Sequence, residues 1–353
     1  MKVIAFYLPQ YHCIPENDEW WGKGFTEWTN TKKAKQLFKG HNQPRVPLNE
    51  NYYNLLDDNV KKWQIDLAKE YGIYGFCYYH YWFNGKQLLE QPMEQFLKNT
   101  NLDFPFCISW ANEPWTRSWD GLTSEVIMPQ EYSKEDAYIH FQYLLKFFND
   151  NRYIKIDNKP LLLIYKLASM PNNGSDLIQL WNDLAKKNGF DGIYFVETLN
   201  GVQKNPVDEN TDAALYFEPS YTVHHDLSFM DRLSNRIRNV PKSIVYGKKY
   251  FETLNYNMIW NKIIKRKSLS AKRTFKGCFI DWDNTARKGE KAMIFNSVSP
   301  EKFGLYFKKL IQTYDEEFIF INAWNEWAEG TYLEPDCKNK FRYLEEVRKG
   351  LHK

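Results

Sequence analysis

Short apolar runs rich in β-branched and aromatic residues recur along this chain, and stretches with apolar residues at helical spacing separate several of them. Eight such runs occur, at 3–7, 74–79, 105–110, 160–166, 193–198, 213–218, 276–282 and 317–323. Helical patterns fall at 54–71, 87–99, 132–150, 176–188, 255–267, 299–314 and 341–351. Ser299 followed by Pro300 marks a helix start, because the hydroxyl can cap orphan amides and proline suits the first turn. Strand–helix alternation of this kind predicts a parallel sheet, and eight strands favour its closure into a (β/α)₈ barrel. No repeat, low-complexity tract or linker divides the chain, so residues 1–353 are expected to form a single barrel domain.

In such a barrel the C-terminal strand ends carry the site. Here they hold acids and amides beside Trp and Tyr: Tyr7 and His12, then Tyr79, His80 and Trp82, then Trp110, Asn112 and Glu113. Glu197, Glu218, Asp281 and Trp282 follow, and the last strand runs into Trp324-Asn325-Glu326-Trp327-Ala328-Glu329-Gly330. Aromatic residues make up 17% of the chain, enough to serve both a core and a surface that stacks on sugar rings. Carboxylates and amides that accept from hydroxyls, set beside flat apolar rings, form a carbohydrate pocket, so an oligo- or polysaccharide is the expected substrate. Glycoside chemistry also needs two carboxyl groups, and Glu326 with Glu329 offers that pair if the chain turns at Gly330. His80 and His12 read as hydrogen-bonded lining groups rather than general bases. Glu113 is either a hydroxyl acceptor or a loop brace, and Lys166 reads as an ion-pair partner at a strand end. The stretches 8–50 and 219–254 are too long for ordinary strand-to-helix loops and are expected at the site.

Other classes find little support. A net charge of +3 gives no electrostatic reason to expect nucleic acid or an anionic membrane as partner. No GxGxxG or P-loop follows a strand, no His/Asp/Glu cluster has metal-ligand spacing, and no cofactor is expected. The five cysteines lack CxxC spacing, and Cys77, Cys107 and Cys278 read as packing residues. Without a signal-peptide pattern or a ~20-residue apolar run, no membrane insertion is expected and the protein reads as cytoplasmic.

The segments AFYLPQYH, YGFCYYHYWF, ISWANEPW and, most specifically, INAWNEWAEGTYLEPD resemble the WbsX-like proteins, a branch related to glycoside hydrolase family 99. The resemblance covers nearly the whole chain. It implies a (β/α)₈ barrel and retaining cleavage of an α-linked, mannose-like glycan through a 1,2-anhydro sugar. By the same resemblance Glu326 is the base that deprotonates the sugar 2-hydroxyl, Glu329 is the general acid/base, and Tyr7, His80 and Asn325 lie in the pocket. On these roles Glu329 is expected to have the raised pKa and Glu326 to stay ionised. Surface-polysaccharide metabolism fits such an activity. A glycosyltransferase and a non-catalytic sugar-binding barrel are the alternatives. Against the former, Asp281-Trp282-Asp283 has the letters of a metal-diphosphate motif without the nucleotide-binding fold around it.

Overall fold

The computed structural model describes residues 1–117, 122–246, 253–269 and 271–352. Eight parallel strands form its centre: β1 (Lys2–Tyr7), β2 (Ile73–Phe83), β3 (Phe106–Trp110), β4 (Lys159–Ile164), β5 (Tyr194–Leu199), β6 (Ala213–Tyr216), β7 (Arg273–Phe279) and β8 (Phe318–Asn322). Each pairs with the next, and β8 closes the ring on β1 with Val3 opposite Ile319 and Ala5 opposite Ile321. This is the (β/α)₈ barrel that the alternation predicts.

Helices pack outside: α1 (Asp58–Glu70), α2 (Gln91–Lys98), α3 (Lys134–Phe148), α4 (Ser175–Lys187), α5 (Phe229–Tyr246), α6 (Tyr256–Lys265), α7 (Pro300–Gln312) and α8 (Arg342–Leu351). Ser299 caps α7 by accepting from the Lys302 amide at 3.3 Å, with Pro300 in the first turn, as its sequence predicts. Two connections depart from a plain alternation. β5 reaches β6 through a loop without a helix. The long segment after β6, partly outside the described residues, contains α5, which the sequence pattern does not announce.

Strand residues alternate between the barrel interior and the helical shell. Phe6 points inward, stacking on Tyr79 at 5.5 Å and meeting Phe217 at 5.1 Å and Phe320 at 5.9 Å. Its neighbour Tyr7 points outward, where its hydroxyl donates to Gln64 of α1 at 2.6 Å. Cys77, Cys107 and Cys278 are fully buried packing residues, as expected. Among the described residues no helix is long and apolar enough to cross a membrane.

Candidate functional site

The chain leaving β8 is tied down before it turns. Asn325 accepts from the Leu8 amide at 2.8 Å and donates to the Leu8 carbonyl at 3.0 Å, which joins the ends of β8 and β1. Tyr11 donates to the Asn325 carbonyl and accepts from the Trp327 amide at 3.3 Å. Gly330 then adopts φ +68°, and a Cβ there would lie 3.0 Å from the Asp283 backbone, so the turn needs glycine. Trp327 is held from behind: its ring stacks on Tyr332 at 3.8 Å and its Nε1 donates to Glu334 at 2.6 Å. Glu334 also accepts from Gln64 at 2.7 Å and Tyr53 at 2.8 Å, and burial raises its pKa to about 7.

Glu326 and Glu329 emerge from this turn onto one cation. Arg287 lies 3.0 Å from Glu326 through Nη2 and donates to Glu329 through Nη1. A third carboxyl, Glu27, lies 3.2 Å from the same guanidinium and is fully buried. Arg287 reaches this position from a short turn after β7 (Thr285–Lys288), which Asp283 holds by accepting from Thr285 Oγ1 at 2.6 Å and Thr285 N at 3.1 Å. One cation among three carboxyls in a largely dry site favours retention of a proton. Burial, reinforced by Glu329 and Glu27 and opposed by Arg287, raises Glu326 to about 8. Burial also raises Glu27. The expectation that Glu326 stays ionised runs against the direction of this shift: Glu326 is 5% exposed, whereas the Glu329 side chain is 21% exposed. Desolvation therefore acts on Glu326.

Both carboxyls open into a cavity of about 610 Å³ at the C-terminal mouth of the barrel. Tyr79, Tyr81, Tyr165, Phe217, Trp115 and Trp282 supply its flat apolar surfaces, and Gln10, Glu113, His224 and Asn284 its polar ones. Of the residues expected from sequence, Tyr79, Glu113, Trp282, Glu326 and Glu329 line this space. Glu113 also pairs with Lys166, so it is braced and exposed to the cavity at once.

Strand alternation explains why other expected residues do not reach it. On β2, Tyr79 and Tyr81 face the cavity, whereas His80 and Trp82 face α3. His80 sits 2.8 Å from His140 through the two Nε2 atoms, and burial lowers His80 to about 3, so it is a neutral packing group. Trp82 stacks on His140 at 4.4 Å and donates to Asp136 at 2.9 Å. Trp110, register partner of His80, shares that outer layer and meets His140 edge-on at 4.6 Å. Glu197, farther along the same register row, accepts from Gln203 at 2.8 Å and Thr211 at 2.6 Å and faces Lys272 at 3.2 Å. Tyr7 faces α1, as described above.

The rest serve as braces around the mouth. His12 is buried with Nδ1 3.0 Å from the Pro9 carbonyl, and burial lowers it to about 4. Asn112 accepts from the Lys166 amide at 2.8 Å and donates to the Lys166 carbonyl at 3.0 Å. Glu218 pairs with Arg266 at 2.6 Å. Asp281 is paired with Arg45 at 2.8 Å, and Asp283 with His41 at 2.9 Å. Among the described residues no group of His, Cys, Asp and Glu is placed to hold a metal. Asn325 and Trp327 shape the turn and do not line the cavity.

The sequence pattern did not mark Arg287, Glu27, Tyr165, Trp21 or His224, of which all but Glu27 line the cavity. Arg287 was readable as a cation just past a strand end; nothing local marks Glu27, which arrives from a short helix (Glu27–Lys33) in the long connection after β1.

A closed (β/α)₈ barrel with a carboxyl pair after its last strand and an aromatic cavity at that mouth is the architecture of a glycosidase-fold protein. Residues 3–347 match the family model described as Glycosyltransferase WbsX, and the chain belongs to that family. It is 34% identical over 358 residues to the uncharacterized protein WxcX of Xanthomonas campestris pv. campestris strain B100, an alignment covering 99% of this chain and 49% of the relative. The chain thus spans about half the length of the curated relatives it matches. Among solved structures it resembles the GH99 endo-α-mannosidase of Bacteroides thetaiotaomicron, with a TM-score of 0.60, 15% identity and coverage of 99% of this chain and 96% of the other. A glycoside hydrolase-like protein shares the fold equally, with a TM-score of 0.60 at 12% identity, covering 99% of this chain and 93% of the other.

Proposed function

We propose that this protein cleaves or transfers an α-linked, mannose-like glycosidic bond with retention, through Glu326 and Glu329, in surface-polysaccharide metabolism. The observation that carries the proposal is the carboxyl pair held on Arg287 at the wall of an aromatic cavity. Family membership supports it. In the first step Glu326 takes the proton of the sugar 2-hydroxyl as O2 attacks C1, while the C1–oxygen bond breaks and the leaving oxygen takes a proton from Glu329. In the second, water or an acceptor hydroxyl gives its proton to Glu329 and attacks C1, and the departing O2 recovers a proton from Glu326.

This sequence needs one proton on the pair, at Glu329 when substrate is bound. In the free protein burial raises the proton affinity of Glu326. A 2-hydroxyl donating to Glu326 favours its ionised form, and a sugar ring covering Glu329 favours the protonated form there. Substrate binding therefore sets the two charge states. The raised proton affinity of Glu326 also suits a base that must accept from an alcohol.

The family's description favours a second reading, transfer of a sugar to a glycan acceptor. The same pair serves it, with the acceptor hydroxyl in place of water. A screen of α-linked oligosaccharides, with products identified by mass spectrometry beside Glu329→Gln, tests the proposal and separates the outcomes. Shortened products indicate hydrolysis, lengthened products transfer, and no wild-type product on any α-linked glycan rejects it.

A further inference from the structure

We propose that α5 docks the mouth of the barrel onto a phospholipid surface bearing anionic head groups. The helix is inverted relative to an ordinary surface helix. Two of its polar residues face the protein: Asp231 pairs with Lys262 of α6 at 2.7 Å, and Asn235, one turn on, donates to the Thr253 carbonyl at 2.9 Å. Four apolar residues in its first half face outward. Phe229 is 78% exposed, Met230 68%, Leu233 38% and Ile237 62%. Phe229, Leu233 and Ile237 stand at i, i+4 and i+8, which places them in a row on one helix face.

Position and charge select the occupant. His224, five residues before Phe229, lines the carbohydrate cavity, so the apolar row starts at the mouth. The turn at 200–203, tied to the same corner by the Gly201 amide donating to Ser220 at 3.0 Å and by His225 at 2.8 Å from the Asn200 carbonyl, adds Val202, 72% exposed. Arg232 and Arg236 are exposed beside the row, and Lys288 and Lys291 are exposed at the cavity wall. An apolar helix face edged by cations matches the boundary between acyl chains and anionic head groups. It would present the cavity to glycan carried at that surface.

The proposal goes beyond the glycoside reading, and sedimentation with vesicles tests it without catalysis. The protein should pellet with vesicles of equal phosphatidylglycerol and phosphatidylcholine, and less with phosphatidylcholine alone or at high salt. Phe229→Ser/Met230→Ser/Ile237→Ser should lower the bound-to-free ratio at least ~10-fold and Arg236→Glu about 10-fold. Leu305→Ser, an exposed site on α7 (53%), should bind as wild type does. Glu329→Gln should also bind normally, so failure of the catalytic reading leaves this result standing. The proposal is overturned by absence of vesicle binding, by binding that the triple variant retains, by equal loss in Leu305→Ser, or by a wild-type dimer that the triple variant dissolves.

Discussion

Arg287→Met removes the one cation that three carboxyls share, and its effect should depend on pH in a defined direction. At 3.0 Å and an effective dielectric of about 20, the Arg287–Glu326 attraction is about 5.5 kcal/mol. Relaxation, water and uptake of a proton by the abandoned carboxyls reduce this to the ~3 kcal/mol usual when a buried ion pair loses one partner. Carboxyls whose folded pKa is raised bind more protons folded than unfolded. Their stability contribution is therefore full at acid pH and is lost as pH rises through the folded value. In wild type that loss runs from about pH 4.5 to the Glu326 value of about 8. Without Arg287 the folded value moves higher, and the variant keeps losing stability above pH 8. The gap in melting temperature should then be small at pH 5 and reach about 2 °C at pH 9, since a carboxyl titrating one unit above pH 8 loses at most ~1.4 kcal/mol and the unfolding entropy of a chain this long is ~0.7 kcal/mol/K. Arg287→Lys should restore part of it. Thermal melts followed by tryptophan fluorescence give the comparison, and equal gaps at both pH values would refute the shared-cation account.

Three further outcomes follow from the surroundings of the site. Glu334→Leu leaves the donors of Tyr53, Gln64 and Trp327 without an acceptor; it should cost roughly 3 kcal/mol or more in denaturant unfolding, and a neutral result would show that the network does not hold the turn. His80→Gln should keep the shape of the pH–rate profile, because His80 is neutral and faces α3; loss of one limb would make it a proton carrier. Activity should survive EDTA, since Asp281 and Asp283 are engaged with Arg45 and His41, and a strict Mg²⁺ or Mn²⁺ requirement would reopen a metal-dependent transferase.

The barrel was legible because every one of its strands is a short apolar run and seven of its helices keep an inward apolar stripe. The helix α5 was not, since the apolar residues Phe229, Met230, Leu233 and Ile237 face outward and Pro241 interrupts the sequence pattern. Strand ends pointed to the mouth where the cavity opens, yet they could not say which side of the strand each residue takes. Tyr79 and His80 are adjacent in sequence and lie on opposite walls of β2. Acids such as Glu197, Glu218 and Asp281 read as sugar ligands, but their cations come from distant segments, Lys272, Arg266 and Arg45, which only the fold brings near. Glu27 was hidden for the same reason, since it arrives from the long connection after β1. The pattern shows two carboxyls after the last strand, whereas the fold sets a third, Glu27, against the same guanidinium.

The central claim, that Glu326 assists the 2-hydroxyl while Glu329 protonates the leaving oxygen, is tested most directly by varying the leaving group. On a glycoside with an activated aryl or fluoride leaving group, Glu329→Gln should keep appreciable first-step activity, because little protonation is needed. Glu326→Gln should lose roughly 10²–10⁴-fold on that substrate and on the natural glycan alike, the usual worth of a positioned base. Exchange of the two behaviours would reverse the roles within the pair, and a Glu326→Gln variant near wild type on the natural glycan would contradict the account.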